Sequence, residues 1–206
     1  MTRLVIIGCG GHGAVVAEAA AEAGHWSEIL FLDDAPSSDR VLDYRVAGRL
    51  DLLEDLLDDR TQVVVAIGDN RKRLQLTEKI PEYGDRAATV IHPKACISRS
   101  ASISAGTVVC AGVIVNARAT LSPSCIVNTA ATIDHDCVLG AGAHISPGAN
   151  LAGEVTVADC AWVGIGAVVK EGIRIGSDAV VGAGAAVVSD VDDGDVVGGV
   201  PARSLK

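Results

Sequence analysis

Two short stretches carry the residue types that do chemistry. In Asp134-His135-Asp136 an imidazole stands between two carboxylates, and His144 follows nine residues later. A carboxylate that accepts from one ring N–H fixes the tautomer and raises the basicity of the other nitrogen, which suits a general base near neutral pH. A histidine in a solvated turn can equally be a surface residue with no chemical role, and the residues alone leave both readings open. The second stretch is Gly8-Cys9-Gly10-Gly11-His12-Gly13, after the apolar run Leu4-Val5-Ile6-Ile7 and before the Ala-rich segment Ala14 to Ala23. Gly8, Gly10 and Gly13 spell G-x-G-x-x-G, with Asp33 and Asp34 about twenty residues on, the context of a dinucleotide fingerprint. Backbone N–H groups at such a helix start can approach a phosphate, and the acidic pair can accept from ribose or base. A tight strand–helix turn without ligand is the other reading of the same residues.

The flanking chain narrows these choices. Only three or four strands fit before residue 86, too few for both mononucleotide halves of an NAD-binding fold. His12 inside the glycine turn can donate to a phosphate or a sugar, so a mononucleotide such as a nucleotide-sugar fits better. His92, His135 and His144 are separated by 43 and then 9 residues, which matches no compact ligand pattern, so no metal is expected. His92-Pro93 reads as an entry turn, and His25 as a capping or surface residue. The six cysteines include no CxxC pair and read as free, mostly structural thiols, with Cys125 and Cys137 in the core.

The element that must position His135 is written in the period of the chain. Every sixth residue from Ile91 to Val187 is Ile, Leu or Val, seventeen in succession. Four residues after these aliphatics come mostly small side chains, among them Ala119, Ala131, Ala143 and Ala161. Period six fits neither helix nor simple alternation and marks a parallel β-helix of hexapeptide repeats. Gly140, Gly142, Gly148, Gly164, Gly166, Gly176, Gly182 and Gly184 are expected in turns that need unusual backbone angles. His135, two residues after the inward Ile133, should stand near a turn and be reachable from outside.

The first 86 residues alternate strand and helix and imply a small parallel sheet. Strands are expected at Leu4 to Ile7, Ile29 to Leu32 and Val63 to Ile67. Ala35 to Ala47 reads as polar and irregular, and Leu50 to Leu57 as an amphipathic helix. Gly68-Asp69-Asn70 reads as the cap of a basic helix from Arg71 to Ile80, stopped by Pro81. The tail from Val196 to Arg203 leaves the repeat, and covering the open end of the solenoid is one reading of it. A net charge of −9 argues against a general nucleic-acid binder. No apolar run is long enough to span a bilayer and no signal-peptide layout opens the chain, so a cytoplasmic protein is expected.

Taken together, Gly10-Gly11-His12-Gly13, Phe31-Leu32-Asp33-Asp34, Ala66-Ile67-Gly68-Asp69-Asn70, Ile91-His92-Pro93, Asp134-His135-Asp136-Cys137, His144, Ala152-Gly153 and Gly199-Val200-Pro201-Ala202 resemble a known family over nearly the full length. It is the family of bacterial sugar O- and N-acetyltransferases, with sialic acid O-acetyltransferases and the perosamine and bacillosamine N-acetyltransferases as members. The resemblance implies a small α/β Rossmann-like domain that binds a nucleotide-sugar, residues 1–86, and a left-handed parallel β-helix with a C-terminal tail, residues 87–206. It implies that His135 is the general base, that Asp136 orients it, and that His144 contacts the acetyl group or thioester from the neighbouring subunit. The Gly153 N–H would face the oxyanion. Acetyl-CoA, a co-substrate, would lie between the coils of a homotrimer near Ile165 and Ala183, with Gly199, Val200 and Pro201 toward its adenine end. Gly11, His12, Gly13, Asp33, Asp34 and Gly68 would hold the nucleotide-sugar. From charge alone, Lys170, Arg174, Arg203 and Lys206 are the cations to test against the CoA phosphates.

The expected reaction is N-acetylation of a UDP- or GDP-linked 4-amino-4,6-dideoxy sugar. Sugar O-acetylation of the sialic acid type is the alternative within enzymes. A nucleotide-sugar-binding sensor is the alternative outside them, and an NAD-dependent enzyme is the third reading. The base, the sugar and the pathway are not legible.

Overall fold

The computed structural model describes residues 2–80 and 86–205, so the expected helix stop at Pro81 and the cation Lys206 lie outside the described residues. The chain opens with a five-stranded sheet built from β1 (Arg3–Ile7), β2 (Glu28–Leu32), β3 (Arg40–Val41), β4 (Tyr44–Gly48) and β5 (Thr61–Val65). The spatial order is β3-β4-β2-β1-β5, with β1, β2, β4 and β5 parallel and β3 antiparallel to β4. Helices α1 (Gly11–Ala23) and α3 (Asn70–Lys79) follow β1 and β5, as β–α alternation requires.

The segment expected to be irregular, Ala35 to Ala47, instead contains β3 and most of β4. An edge hairpin needs only one apolar face, and Val41, Tyr44 and Val46 supply it by packing on the core. The expected amphipathic helix after it is also shorter: a 3-10 turn at Leu50–Leu52 leads into a four-residue helix α2 (Leu53–Leu56). Its leucines still cover Val5, Ile7 and Val65. Beyond β5, Ala87 bridges Val63 in parallel, so the small sheet accepts chain up to the start of the solenoid.

From residue 90 the chain winds as a left-handed β-helix. Seventeen two-residue strands, β6 (Val90–Ile91) to β22 (Ala186–Val187), each end on one aliphatic of the period-six series. Pairing joins residues 18 apart, as in Ile126↔His144 and Thr132↔Asn150, so three hexapeptides make one coil and the strands stack into three parallel sheets. From Val109 onward the aliphatics are buried, as are Ala119, Cys125, Ala131, Cys137, Ala143, Ala161 and Ala167 in the small register.

The glycines divide into two groups. Gly142, Gly148, Gly166 and Gly184 have φ of 64–67° and occupy left-handed turn positions. Gly140, Gly164, Gly176 and Gly182 do not. They are needed because the next coil passes close by: a Cβ on Gly140 would lie 2.5 Å from Asp159 Oδ1. At the same left-handed position other coils use non-glycine residues, Arg118, Ser124, Asp136 and Glu154 among them.

The two parts share one hydrophobic core, in which Val16, Ala17 and Ala20 of α1 join Ala88, Val90 and Val108. Helix α3 docks along one corner of the solenoid. Its Thr77 meets Gly106 and Ser124, Arg73 meets Ser124 and Gly142, Asn70 meets Cys160, and Arg71 pairs with Asp178. Those corner residues are 18 apart. A helical turn rises about 5.4 Å and stacked strands are about 4.8 Å apart, so each turn of α3 finds one coil. At the far end, β23 (Val196–Gly198) continues a sheet in parallel, and β24 (Arg203–Ser204) folds back antiparallel across it. His92 ties the first coil to α1: Lys94 N–H donates to its Nδ1 at 3.0 Å, and its Nε2 lies 3.5 Å from Glu22. All six cysteines are free. Among the described residues, no helix is long and apolar enough to cross a membrane.

Candidate active site

The solenoid places His135 at a corner, just after β13 (Thr132–Ile133), with about half of its side chain exposed. Stacking at 18 residues surrounds it. Asp136 takes a left-handed backbone, φ 60°, which lets its carboxylate reach the ring beside it, with Nδ1 to Oδ2 at 2.8 Å. One coil earlier, Arg118 donates to the same carboxylate in a two-pronged contact, Nε to Oδ1 at 2.6 Å and Nη2 to Oδ2 at 2.7 Å. Those hydrogen bonds, Arg118 first and His135 second, hold the Asp136 carboxyl down at about 2. Asp134 instead fixes the turn, its Oδ1 accepting from the His135 backbone N–H and from Asn116. With an ionised acceptor at Nδ1, the ring keeps its proton there and turns the Nε2 lone pair outward. One coil later Gly153 lies against the imidazole, so close that a Cβ there would be 2.5 Å from Nε2.

His144 stands elsewhere, on β15 (His144–Ile145), in a different sheet from β13. It is buried and lies parallel to Trp162, one coil on, with ring planes 4° apart and centroids at 5.6 Å. Burial first, then the nearby Arg73 and His12, pushes its pKa down to about 3, so the ring is neutral. Its Nδ1 is buried with no hydrogen-bond partner among the described residues. His144, Ser146, Trp162, Ile165 and Ala183 line a groove of ≈ 410 Å³ whose floor includes Gly164 and Gly182. The apolar wall and small floor suit a thin, flexible chain. Among the described residues, neither Gly199, Val200 and Pro201 nor Lys170, Arg174 and Arg203 line it. Val200 is 78% exposed on the tail, Lys170 lies 3.8 Å from Glu171, Arg174 pairs with Asp193, and Arg203 donates to Ala202 O.

The third site is a cleft of ≈ 450 Å³ in the small domain, lined by Gly10, Gly11, His12, Asp33, Asp34, Gly68 and Lys72. Gly10 gives α1 no side-chain cap, leaving the first N–H groups of the helix for an anion. Gly13 lies beneath the cleft, where a Cβ would meet Gly8 O at 2.1 Å. Asp33 is largely committed to structure: it accepts from Cys9 N at 2.7 Å and Ala35 N at 2.9 Å, and the Cys9 bond leads in lowering its pKa. Asp34 accepts from Leu50 N at 3.1 Å. Burial, with Arg73 nearby, lowers His12 to about 4 and leaves it neutral, with a buried Nε2 that has no partner among the described residues.

Three residues of these sites escape a reading by sixes. Arg118 and Trp162 stand 18 residues from Asp136 and His144, so a period-18 alignment points to both. Lys72, the cation of the cleft, is visible only as part of a basic helix.

Comparison with known proteins shows what the chain is similar to. Residues 3–80 match the family described as the PglD N-terminal domain. A curated relative, the UDP-N-acetylbacillosamine N-acetyltransferase of Bacillus subtilis (strain 168), is 37% identical over 113 residues, 54% of this chain. The match spans about half, 52%, of that relative's length. The acetyltransferase domain of PglB from Neisseria gonorrhoeae FA1090 is 44% identical, with TM-score 0.96 and full coverage of both chains, and a second structure of it contains acetyl coenzyme A. PerB from Caulobacter crescentus, solved with CoA and GDP-perosamine, is 39% identical with TM-score 0.93, covering 100% of this chain and 98% of that one.

Proposed function

The chain belongs to the hexapeptide-repeat family of sugar N-acetyltransferases, and on that premise we propose that it transfers the acetyl group of acetyl-CoA to the amino group of a nucleotide-linked aminosugar. The acceptor class is a UDP- or GDP-4-amino-4,6-dideoxy sugar, in keeping with the bacillosamine and perosamine enzymes it resembles. The nucleotide lies in the cleft at the start of α1, its phosphates facing the helix N–H groups and Lys72. The pantetheine arm runs along the groove of His144, Trp162, Ile165 and Ala183, whose apolar wall and small floor fit it.

In the proposed step the amine lone pair attacks the thioester carbon while His135 Nε2 takes an amine proton. Asp136 steadies the imidazolium that forms. The Gly153 N–H faces the oxygen that gains charge. The C–S bond then breaks, and the proton held by His135 passes to the departing sulfur. General-base help contributes roughly 10²–10⁴ in rate, and one oxyanion donor about 3 kcal/mol. His135 and His144 stand on different sheets, and the proposed homotrimer sets the His135 corner of one chain against the His144 groove of the next. We place the enzyme in the cytoplasm.

The observation that carries this reading is the Arg118–Asp136–His135 chain with Gly153 under the ring. The test is turnover of His135→Ala with UDP- and GDP-linked 4-aminosugars. We expect a loss of at least about 10²-fold with acetyl-CoA binding unchanged. Near-parental turnover contradicts the assignment.

A further inference from the structure

We infer that Arg73 is a positioning residue that holds the nucleotide cleft and the acyl groove in register across the junction of the two domains. The inference rests on the proposed assignment of those two clefts. Arg73 has no exposed surface. Its guanidinium donates from Nη1 to Ile67 O at 3.0 Å, from Nε to Ser124 O at 2.9 Å, and from Nη2 to Gly142 O at 2.7 Å and Asn70 Oδ1 at 2.9 Å. Ile67 lines the nucleotide cleft, and Gly142 lies two residues before His144. One planar group therefore clamps a wall of the first site to the coil that carries the second.

Stability alone does not account for such a group. No carboxylate of the described residues forms an ion pair with it, and a buried cation met only by neutral acceptors is an expensive way to fill a core. Four hydrogen bonds from one rigid fork are what the geometry uses, and an ammonium cannot reproduce them. The neighbourhood points the same way. The ionisable groups interacting with Arg73 are Asp69 of its own helix, Cys125 and Cys160 of the solenoid, and the two histidines. His12 and His144 both feel its charge, which disfavours their imidazolium forms, and both keep a buried nitrogen without a partner among the described residues. Burial is the first cause that keeps both rings neutral, and the cation adds to it at one ring in each cleft.

Arg73→Lys and Arg73→Met separate the fork from the charge. For each variant we would measure acetyl transfer, binding of UDP, GDP and acetyl-CoA by calorimetry, and imidazole titration of His12 and His144 by ¹⁵N NMR. The expected result is that each ligand still binds both variants while kcat falls about 10²-fold in both, as misregistered reactants require. The imidazole pKa values should rise in Arg73→Met and hold in Arg73→Lys. Parental kcat in Arg73→Lys overturns the inference. So does kcat loss that matches the loss of folded protein, or failure of both variants to fold by circular dichroism, since either makes the role purely structural. Absence of transfer by the parent protein speaks against the proposed function instead, and the two failures are told apart by that control.

Discussion

An imidazole at a solvated corner is ordinary; His135 differs by the partners stacked above and below it. Arg118 holds the Asp136 carboxylate in place, Asp136 holds the ring, and Gly153 leaves room for its face. Arg118→Met should let the Asp136 carboxyl rise from about 2 toward its ordinary value and free the ring to turn. We expect kcat to fall about tenfold or more, with the KM for acetyl-CoA unchanged, in steady-state assays. Gly153→Ala puts a methyl 2.5 Å from the ring nitrogen and should cost kcat about 10²-fold. A thermal melt should show little loss of stability, because Gly153 does not hold a left-handed turn. The buried histidines give a pH prediction. His12 and His144 have folded pKa values of about 4 and about 3, below the unfolded 6.5, so the unfolded chain binds more protons between those limits. Their contribution to stability is complete above pH 6.5 and is lost as pH falls toward 4 and 3, by several kcal/mol at roughly 1.4 kcal/mol per unit. The melting temperature should therefore drop from pH 7 to pH 4.5, and less steeply in His144→Gln; an equal slope in both proteins contradicts this.

At the scale of elements, the coil is the unit that brings distant residues together. Leu139, wholly buried in the solenoid, should cost about 2–5 kcal/mol when cut to alanine, read by denaturant unfolding. Gly142 is constrained twice: its φ of 67° disfavours a branched side chain, and a Cβ would press on Asn70 O and Leu74 Cβ at 3.2 Å. Gly142→Val should therefore destabilise by about 2–4 kcal/mol and loosen α3, seen as faster amide exchange in that helix. The period-six aliphatics made the solenoid legible, because each one lies in or packs against the core at a spacing that no other fold uses. The two carboxylates beside His135 were legible as candidate partners, being its neighbours in sequence, and the resemblance, not the spacing, pointed to Asp136 as the one that bonds the ring. Arg118, Trp162 and the seat of α3 were hidden because their contacts run across coils, at 18 residues or between domains. The hairpin of β3 and β4 escaped because an edge pair needs few apolar residues, and its segment is mostly polar. Half of the expected turn glycines proved to be contact glycines, a distinction that only the spacing between coils reveals.

At the scale of the molecule, the three corners of the solenoid serve three different ends. One seats α3 and joins the domains, one carries the groove of His144 and Trp162, and one carries His135. The last two are separate within a chain, and the proposed mechanism closes the gap by setting the His135 corner of one chain against the groove of the next. The most direct measurement is acetyl transfer by co-expressed, differently tagged His135→Ala and Ala183→Trp chains purified as mixed oligomers. The account predicts that each variant alone is inactive and that a mixed trimer restores about one site in three, the one that combines an intact corner with an intact groove. A mixed oligomer as inactive as its parts would show that base and acyl group are supplied by one chain, and would contradict the account.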